Sequence, residues 1–275
     1  LNRFTMAATN GYWNAKRQFS LTVGSSGPSF SGPTLFNFDN DDMTNSGSGN
    51  DGALVNNTNN ISFETSGAGA SGTGFGNAIK MNMGTGGDTG HATFPNPLIG
   101  TGECTIEFWI KMEQVPTYNN NSRCILRNNG QWDDMNYGYA DYFGIEVNWD
   151  GNNSIGEIRL DTNSTVYEIT PVNDLFSTSS DGPWRHFALT RTISGGNETW
   201  ALYYNGTKQT FNSTPTFSTY DYSAVAGDWV IGALEADMGM GLEYWMMLKG
   251  WLDGIAIHDS VIYTGSTITI PDAPY

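Results

Sequence analysis

An all-β, two-sheet antiparallel sandwich is the fold this sequence predicts, on three observations. Short apolar runs recur along the chain, and most alternate with polar residues at the period of two that a half-buried strand requires. Turn-forming dipeptides separate them, among them Asn129-Gly130, Asp150-Gly151 and Asn205-Gly206. No segment shows helical apolar spacing, and 34 glycines and only 15% charged residues fit many short strands joined by polar turns. An aromatic content of 13% is ample for a large core.

Residues 1–24 are expected to form a β-hairpin. "NRFTMAATNG" runs into "YWNAKRQFSLTVG", where Phe19, Leu21 and Val23 alternate with Gln18, Ser20 and Thr22. A lone hairpin is marginally stable. This one carries Phe4, Trp13, Phe19 and Leu21, so its edges are expected to pair with another segment or subunit. Residues 25–33, rich in Gly, Ser and Pro, read as a linker.

Residues 34–275 form the main domain. Strands are predicted at "TLFNF" from Thr34, "ISFE" from Ile61, "AIKMNM" from Ala78, "HATF" from His91 and "CTIEFWIKM" from Cys104. They continue at "RCILR" from Arg123, "YFGIEVNWD" from Tyr142, "GEIRLD" from Gly156 and "TVYEIT" from Thr165. The last set is "WRHFALTRT" from Trp184, "TWALYYN" from Thr199, "TKQTF" from Thr207, "WVIGA" from Trp229 and "GWLDGIAIH" from Gly250. Phe187, Leu189 and Arg191 share one face of their strand, and His186, Ala188 and Thr190 the other. On the next strand Trp200, Leu202 and Tyr204 oppose Ala201 and Tyr203. Apolar groups on both faces predict a central wall of the sandwich. Cys104 shares a face with Ile106, Phe108 and Ile110 and is expected to be a buried thiol, with a Cys104–Cys124 disulfide as the alternative.

Net charge is −16, from 12 basic and 28 acidic residues. Without a cluster of Lys and Arg to neutralise phosphates, nucleic-acid binding is excluded, as is attraction to an anionic membrane surface. No apolar run reaches the roughly 20 residues of a spanning helix, so no membrane insertion is expected.

Candidate chemistry is sparse. Glycoside hydrolysis needs two carboxylates on one cleft. The nearest pattern is "EADMGMGLE", where Glu235 and Asp237 fit but Glu243 follows too late. His91, His186 and His258 are scattered, with no metal-ligand spacing. Two segments, "NNGQWDDMNYGYADY" and "EADMGMGLEYWMM", read as loops that mix aromatic and acidic residues. The first offers Trp132, Asp133, Asp134, Tyr137 and Tyr139; the second offers Met238, Met240, Tyr244 and Trp245. A flat ring beside hydrogen-bonding side chains suits a sugar, and the same aromatic and Met enrichment suits a subunit interface.

Several segments in order, "GTGECTIEFWIKM", "WRHFALTR", "LYYNGTK", "VIGA" and "GWLDGIAIHDSVIYTG", resemble the laminin-G-like jelly roll of the concanavalin A-like lectin/glucanase superfamily, of the type found in phage structural proteins and bacterial surface proteins. The first hairpin is similar to the end of an immunoglobulin- or cadherin-like repeat, which implies that the chain ends something longer and modular. The resemblance implies an antiparallel jelly-roll sandwich in which the first and last strands of the main domain are neighbours, and it makes Trp184 a structural residue at the start of its strand. It also implies a structural Ca²⁺ site at Asp39 and Asp253, with Asp41 and Asp42 assisting, and oxygen ligands suit that ion. The resulting expectation is a non-enzymatic, homo-oligomeric structural or attachment module of a virion or surface fibre. It would sit on the virion surface or outside the cell, with other structural proteins and host glycans as partners. A carbohydrate-binding lectin module of a secreted protein is the alternative, and a glycoside hydrolase a lesser one.

Overall fold

Alternation in the sequence becomes two stacked sheets in the computed structural model. It describes residues 34–47, 49–55, 61–64, 76–82, 90–97, 99–114, 121–128, 132–133, 138–139, 143–149, 156–162, 165–168, 174–177, 179–224, 227–237, 242–245 and 248–271. The hairpin expected over residues 1–24 and the linker 25–33 lie outside these residues.

The strands in chain order are β1 (Thr34–Phe36), β2 (Ala53–Val55), β3 (Ile61–Glu64), β4 (Ala78–Met81), β5 (His91–Phe94), β6 (Cys104–Met112) and β7 (Asn121–Arg127). There follow β8 (Trp132–Asp133), β9 (Gly138–Tyr139), β10 (Phe143–Trp149), β11 (Gly156–Thr162), β12 (Thr165–Glu168), β13 (Arg185–Ser194) and β14 (Asn197–Tyr204). The last are β15 (Thr207–Lys208), β16 (Thr216–Ser218), β17 (Trp229–Ile231), β18 (Leu234–Asp237), β19 (Leu242–Trp245) and β20 (Gly250–His258). The helical content among the described residues is one 3-10 turn at Tyr222–Ala224.

The first sheet runs β15-β14-β13-β6-β20-β4-β3, with β1 added against β20 and β16 against β14. The second runs β12-β11-β10-β7-β17-β5-β2. The expected pairing of first and last strands holds, with Thr34 opposite Ile257 and Phe36 opposite Ile255. Both halves of the β13–β14 unit behave as the alternation requires. Phe187, Leu189, Trp200, Leu202 and Tyr204 enter the core between the sheets, while Ala188 and Tyr203 join a second cluster on the outer face. The two-residue turn between them is Gly195-Gly196, both at positive φ (61° and 79°), the twist that suits a tight hairpin.

Within the core Phe187 stacks on Phe108 at 5.2 Å and meets Tyr204 edge-on, also at 5.2 Å. Such paired rings add about 1 kcal/mol to the area they bury. Cys104 and Cys124 are both free and buried, one in each sheet. Burial, the largest influence, pushes the Cys104 thiol up to about 12, so it behaves as a small apolar group.

The outer face of the first sheet is not left to water. After β20 the chain continues as a strap to Pro271 that packs Tyr263 and Ile262 onto Ala188 and Tyr203. Thr105 Oγ1 of β6 donates to Ser260 O at 2.8 Å and accepts from Ile262 N at 3.0 Å, and Tyr203 OH donates to Gly265 O at 2.9 Å.

Two sequence expectations change. β2 and β16 carry no clear alternation and were not foreseen. The segments read as two aromatic loops are not loops throughout: each contributes two strands to a third, four-stranded sheet.

Candidate functional site

That third sheet has the order β19-β18-β8-β9 and unites residues from both aromatic segments. β8 and β9 pair antiparallel, Trp132 opposite Tyr139 and Asp133 opposite Gly138. β18 and β19 pair antiparallel, Leu234 opposite Trp245 and Glu235 opposite Tyr244. The two hairpins join through a parallel pairing of β18 with β8, Ala236 beside Trp132 and Asp237 beside Asp133.

The segments that meet follow neighbouring strands. β7 and β17 are hydrogen-bonded neighbours in the second sheet, with Ile231 opposite Leu126 and Val230 opposite Arg127. They run antiparallel, so the chain leaves them in opposite directions, and the parallel β18–β8 pairing is what brings the two segments together. Gly232, the residue after β17, has φ 82°, and a Cβ there would lie 2.0 Å from Met81 Sδ. Glycine alone lets the chain turn off the sheet at that point. Gly232 N donates to Ile125 O at 2.9 Å, and Leu248 N donates to Gly232 O at 2.7 Å, which ties the base of the β18–β19 hairpin to β7.

Of the residues proposed for glycan or interface contact, Trp132, Asp133, Tyr139, Tyr244 and Trp245 lie on this sheet. Asp134, Tyr137, Met238 and Met240 fall outside the described residues. The sheet's strands hold four acids, Asp133, Glu235, Asp237 and Glu243, and no Lys or Arg. Glu243 is in register with Ala236, on a different strand from Glu235 and Asp237. The glucanase-like spacing is therefore not carried on one strand.

The cation candidates divide. Asp39 is exposed, and its Oδ1 accepts from Gly76 N and Asn77 N, each at 3.1 Å. Asp41 Oδ1 accepts from Asn77 Nδ2 at 2.9 Å, and Asp42 Oδ1 caps Thr44 N at 3.0 Å. These acids fasten the 39–44 turn to the start of β4. Asp253 is wholly buried on β20, opposite Trp109. Among the described residues no three His, Cys, Asp or Glu side chains converge as metal ligands.

Two buried clusters have the residue types of catalysis and the geometry of structure. Glu107 on β6 is flanked by β13 and β20. His186 Nε2 donates to its Oε2 at 3.1 Å, His258 Nε2 to its Oε1 at 2.8 Å, and Tyr263 OH to Oε2 at 2.8 Å. The two histidines that looked scattered in the sequence thus share one carboxylate. All four side chains are buried, and the strap, through Tyr263, is part of the lid. A general acid or base has to reach a substrate, and here solvent is excluded. On the inner side, Glu198 accepts from Arg191 Nε at 2.9 Å and Nη2, from Trp200 Nε1 at 2.9 Å, from Tyr222 OH at 2.7 Å and from Tyr220 N at 3.0 Å. Arg191 also donates to Gly100 O and Gly102 O, both at 2.9 Å, and to Tyr220 O. Burial, then the charge of Glu198, raises the Tyr222 pKa, so its hydroxyl stays a donor. Neither cluster was foreseen: their members are far apart in sequence, and only strand register assembles them.

Trp184 stands half-buried immediately before β13, where its carbonyl accepts from Arg185 Nη1 at 3.1 Å. No helix among the described residues is long and apolar enough to cross a membrane.

A search of curated proteins finds no match. Among solved structures, the chain is similar to the CBM40 domain of the Ruminococcus gnavus IT-sialidase bound to alpha2,3 sialyllactose, at 14% identity and TM-score 0.44, over 68% of this chain and 91% of that one. It is also similar to the botulinum neurotoxin serotype D binding domain, at 14% identity and TM-score 0.47, over 85% of this chain and 48% of that one. A GH131 beta-glucanase catalytic domain from Podospora anserina matches at 12% identity and TM-score 0.41, over 75% and 81%. Likenesses this distant carry nothing about ligand. The family comparison is decisive: the profile of a laminin-G family, described as the concanavalin A-like lectin/glucanases superfamily, matches residues 85–264. With most of both sheets inside that match, the chain belongs to the concanavalin A-like lectin/glucanases superfamily.

Proposed function

We propose that this chain is a non-catalytic carbohydrate-binding module and that its glycan site is the third sheet. One observation carries the proposal. Two segments far apart in the chain, each combining aromatic and acidic residues, are brought into one small sheet by the β18–β8 pairing, so that Trp132, Tyr139, Tyr244 and Trp245 occupy neighbouring strands. A few aromatic rings with polar groups among them form the chemistry of a sugar platform, and the superfamily's lectins make that use of the fold a reasonable prior. The carboxylate–histidine cluster at Glu107 is sealed, which supports binding over hydrolysis.

The setting belongs to the same proposal: an extracellular or surface module, in a virion or cell-surface fibre, working as a homo-oligomer. It rests on the sequence of residues 1–33 and on the family, and sedimentation of the intact chain tests it, since a stable monomer would remove it.

The glycan site is tested by Trp132→Ala and Trp245→Ala on a glycan array followed by titration calorimetry. Each variant is expected to lose about tenfold in affinity, roughly 1.4 kcal/mol, with its melting temperature near that of the parent. Unchanged affinity in both variants, or hydrolysis of the bound glycan by the parent chain, would overturn the proposal.

A further inference from the structure

The strap seals the first sheet over Glu107 but leaves its outer face open over the β13–β14 hairpin. There a cleft of about 320 Å³ remains. Thr190 and Thr192 of β13, Thr199 of β14, Lys208, Phe211 and Tyr263 of the strap line it. The strap is fixed there, because Tyr203 OH donates to Gly265 O and Lys208 N to Ser266 O. The volume is at the lower end of small-molecule sites and suits one or two sugar units.

Charge distinguishes the cleft from the rest of the molecule. The chain has 28 acidic residues against 12 basic, yet no Asp or Glu lines this cleft. Lys80, Lys111 and Lys249 each stand within ion-pair distance of a carboxylate, at 3.4, 4.0 and 3.0 Å. Lys208 is exposed and has no such partner among the described residues. Its register opposite Tyr203 sets it on the outer face, at the cleft. Among the described residues, then, the Lys208 ammonium has no carboxylate partner and stands beside a row of threonine hydroxyls. That is the arrangement for a ligand carrying hydroxyls and one negative charge.

We propose that this cleft is a second binding site, which takes a saccharide unit bearing one carboxylate or sulfate group, with Lys208 as its counter-ion. The saccharide class rests on the carbohydrate-binding reading above. The site itself is separate and opposite in charge, because the strands of the third sheet carry acids and no Lys or Arg.

The test is titration of the full chain with methyl glucuronide, glucose 6-sulfate and neutral methyl glucoside, followed by calorimetry. At least one anionic sugar should bind more tightly than methyl glucoside, and added salt should weaken it. Lys208→Ala should weaken that binding about fivefold, as expected for a half-solvated ion pair, and Lys208→Arg should restore it. Which of the two anionic sugars binds tells carboxylate from sulfate. The proposal is overturned if Lys208→Ala binds the anionic sugars as the parent does. It is also overturned if Trp132→Ala or Trp245→Ala abolishes their binding, because the two sites would then be one. If the parent binds neutral glycans and no anionic sugar, the second site alone fails. If it binds no sugar at all, the carbohydrate-binding reading fails with it.

Discussion

Replacing Glu198 by Gln should be among the costliest single changes in this fold. Its carboxylate and the Arg191 guanidinium are both fully buried. Gln keeps the shape but removes the charge, and it puts an NH₂ in place of one oxygen, facing either Arg191 and Tyr220 N or Trp200 Nε1 and Tyr222 OH as donors. Arg191 would keep its bonds to Gly100 O and Gly102 O but lose its counter-charge. Breaking a buried pair by removing one partner costs about 3–5 kcal/mol. For a chain of this size that corresponds to a fall of roughly 10 °C in melting temperature. The assay is urea and thermal unfolding followed by near-ultraviolet circular dichroism at neutral pH. An Arg191→Met/Glu198→Leu double variant should lose less than Glu198→Gln alone, because it leaves no uncompensated charge. Stability of Glu198→Gln within about 1 kcal/mol of the parent would show that the pair is not the keystone of this corner.

Asp174 offers a pH-dependent counterpart. Burial would raise its pKa, but hydrogen bonds from Tyr204 and Arg185 and the Arg185 charge outweigh burial and hold it below the ordinary value. A depressed carboxylate contributes stability above its unfolded pKa and loses it as pH falls through the folded one. The stability gap between the parent and Asp174→Asn should therefore be present at neutral pH and close in the acid range. Asp174 is half exposed, so the gap should stay below about 1 kcal/mol, and a gap that widens on acidification would contradict the assignment. Calcium at Asp39 and Asp253 is decided by melting with and without chelator. The proposed ion predicts a fall in melting temperature on chelation, and an unchanged curve would refute it.

What could be read from the sequence was what repeats at period two. β6, β13, β14 and β20 are long and alternate cleanly, so their positions and inward faces followed from pattern alone. β8 and β9 have two residues each and contain or adjoin Gly and Asp, which is too little for periodicity to register. The aromatic segments were visible as candidates, but their union was not. It depends on the parallel pairing of β18 with β8, between residues about a hundred positions apart.

Periodicity was also silent on the polar residues of the outer face. In "CTIEFWIKM", Glu107 alternates with core residues and so lies on the opposite face, and the same holds for His186 on its strand. Pattern tells which residues share a face but not what covers that face. Here the strap after β20 covers it, so Glu107, His186, His258 and Tyr263 satisfy one another in the dark. The same strap bonds to Lys208 N through Ser266 O at 2.9 Å but leaves a cleft open beside Thr190 and Thr192. The hairpin from Trp184 to Lys208 is thus at once a core wall, one side of a sealed polar cluster and the floor of a cleft. That triple use accounts for two Trp, a His, two Arg and two Tyr in so regular a pair of strands. A plain wall would need only the inward half of them.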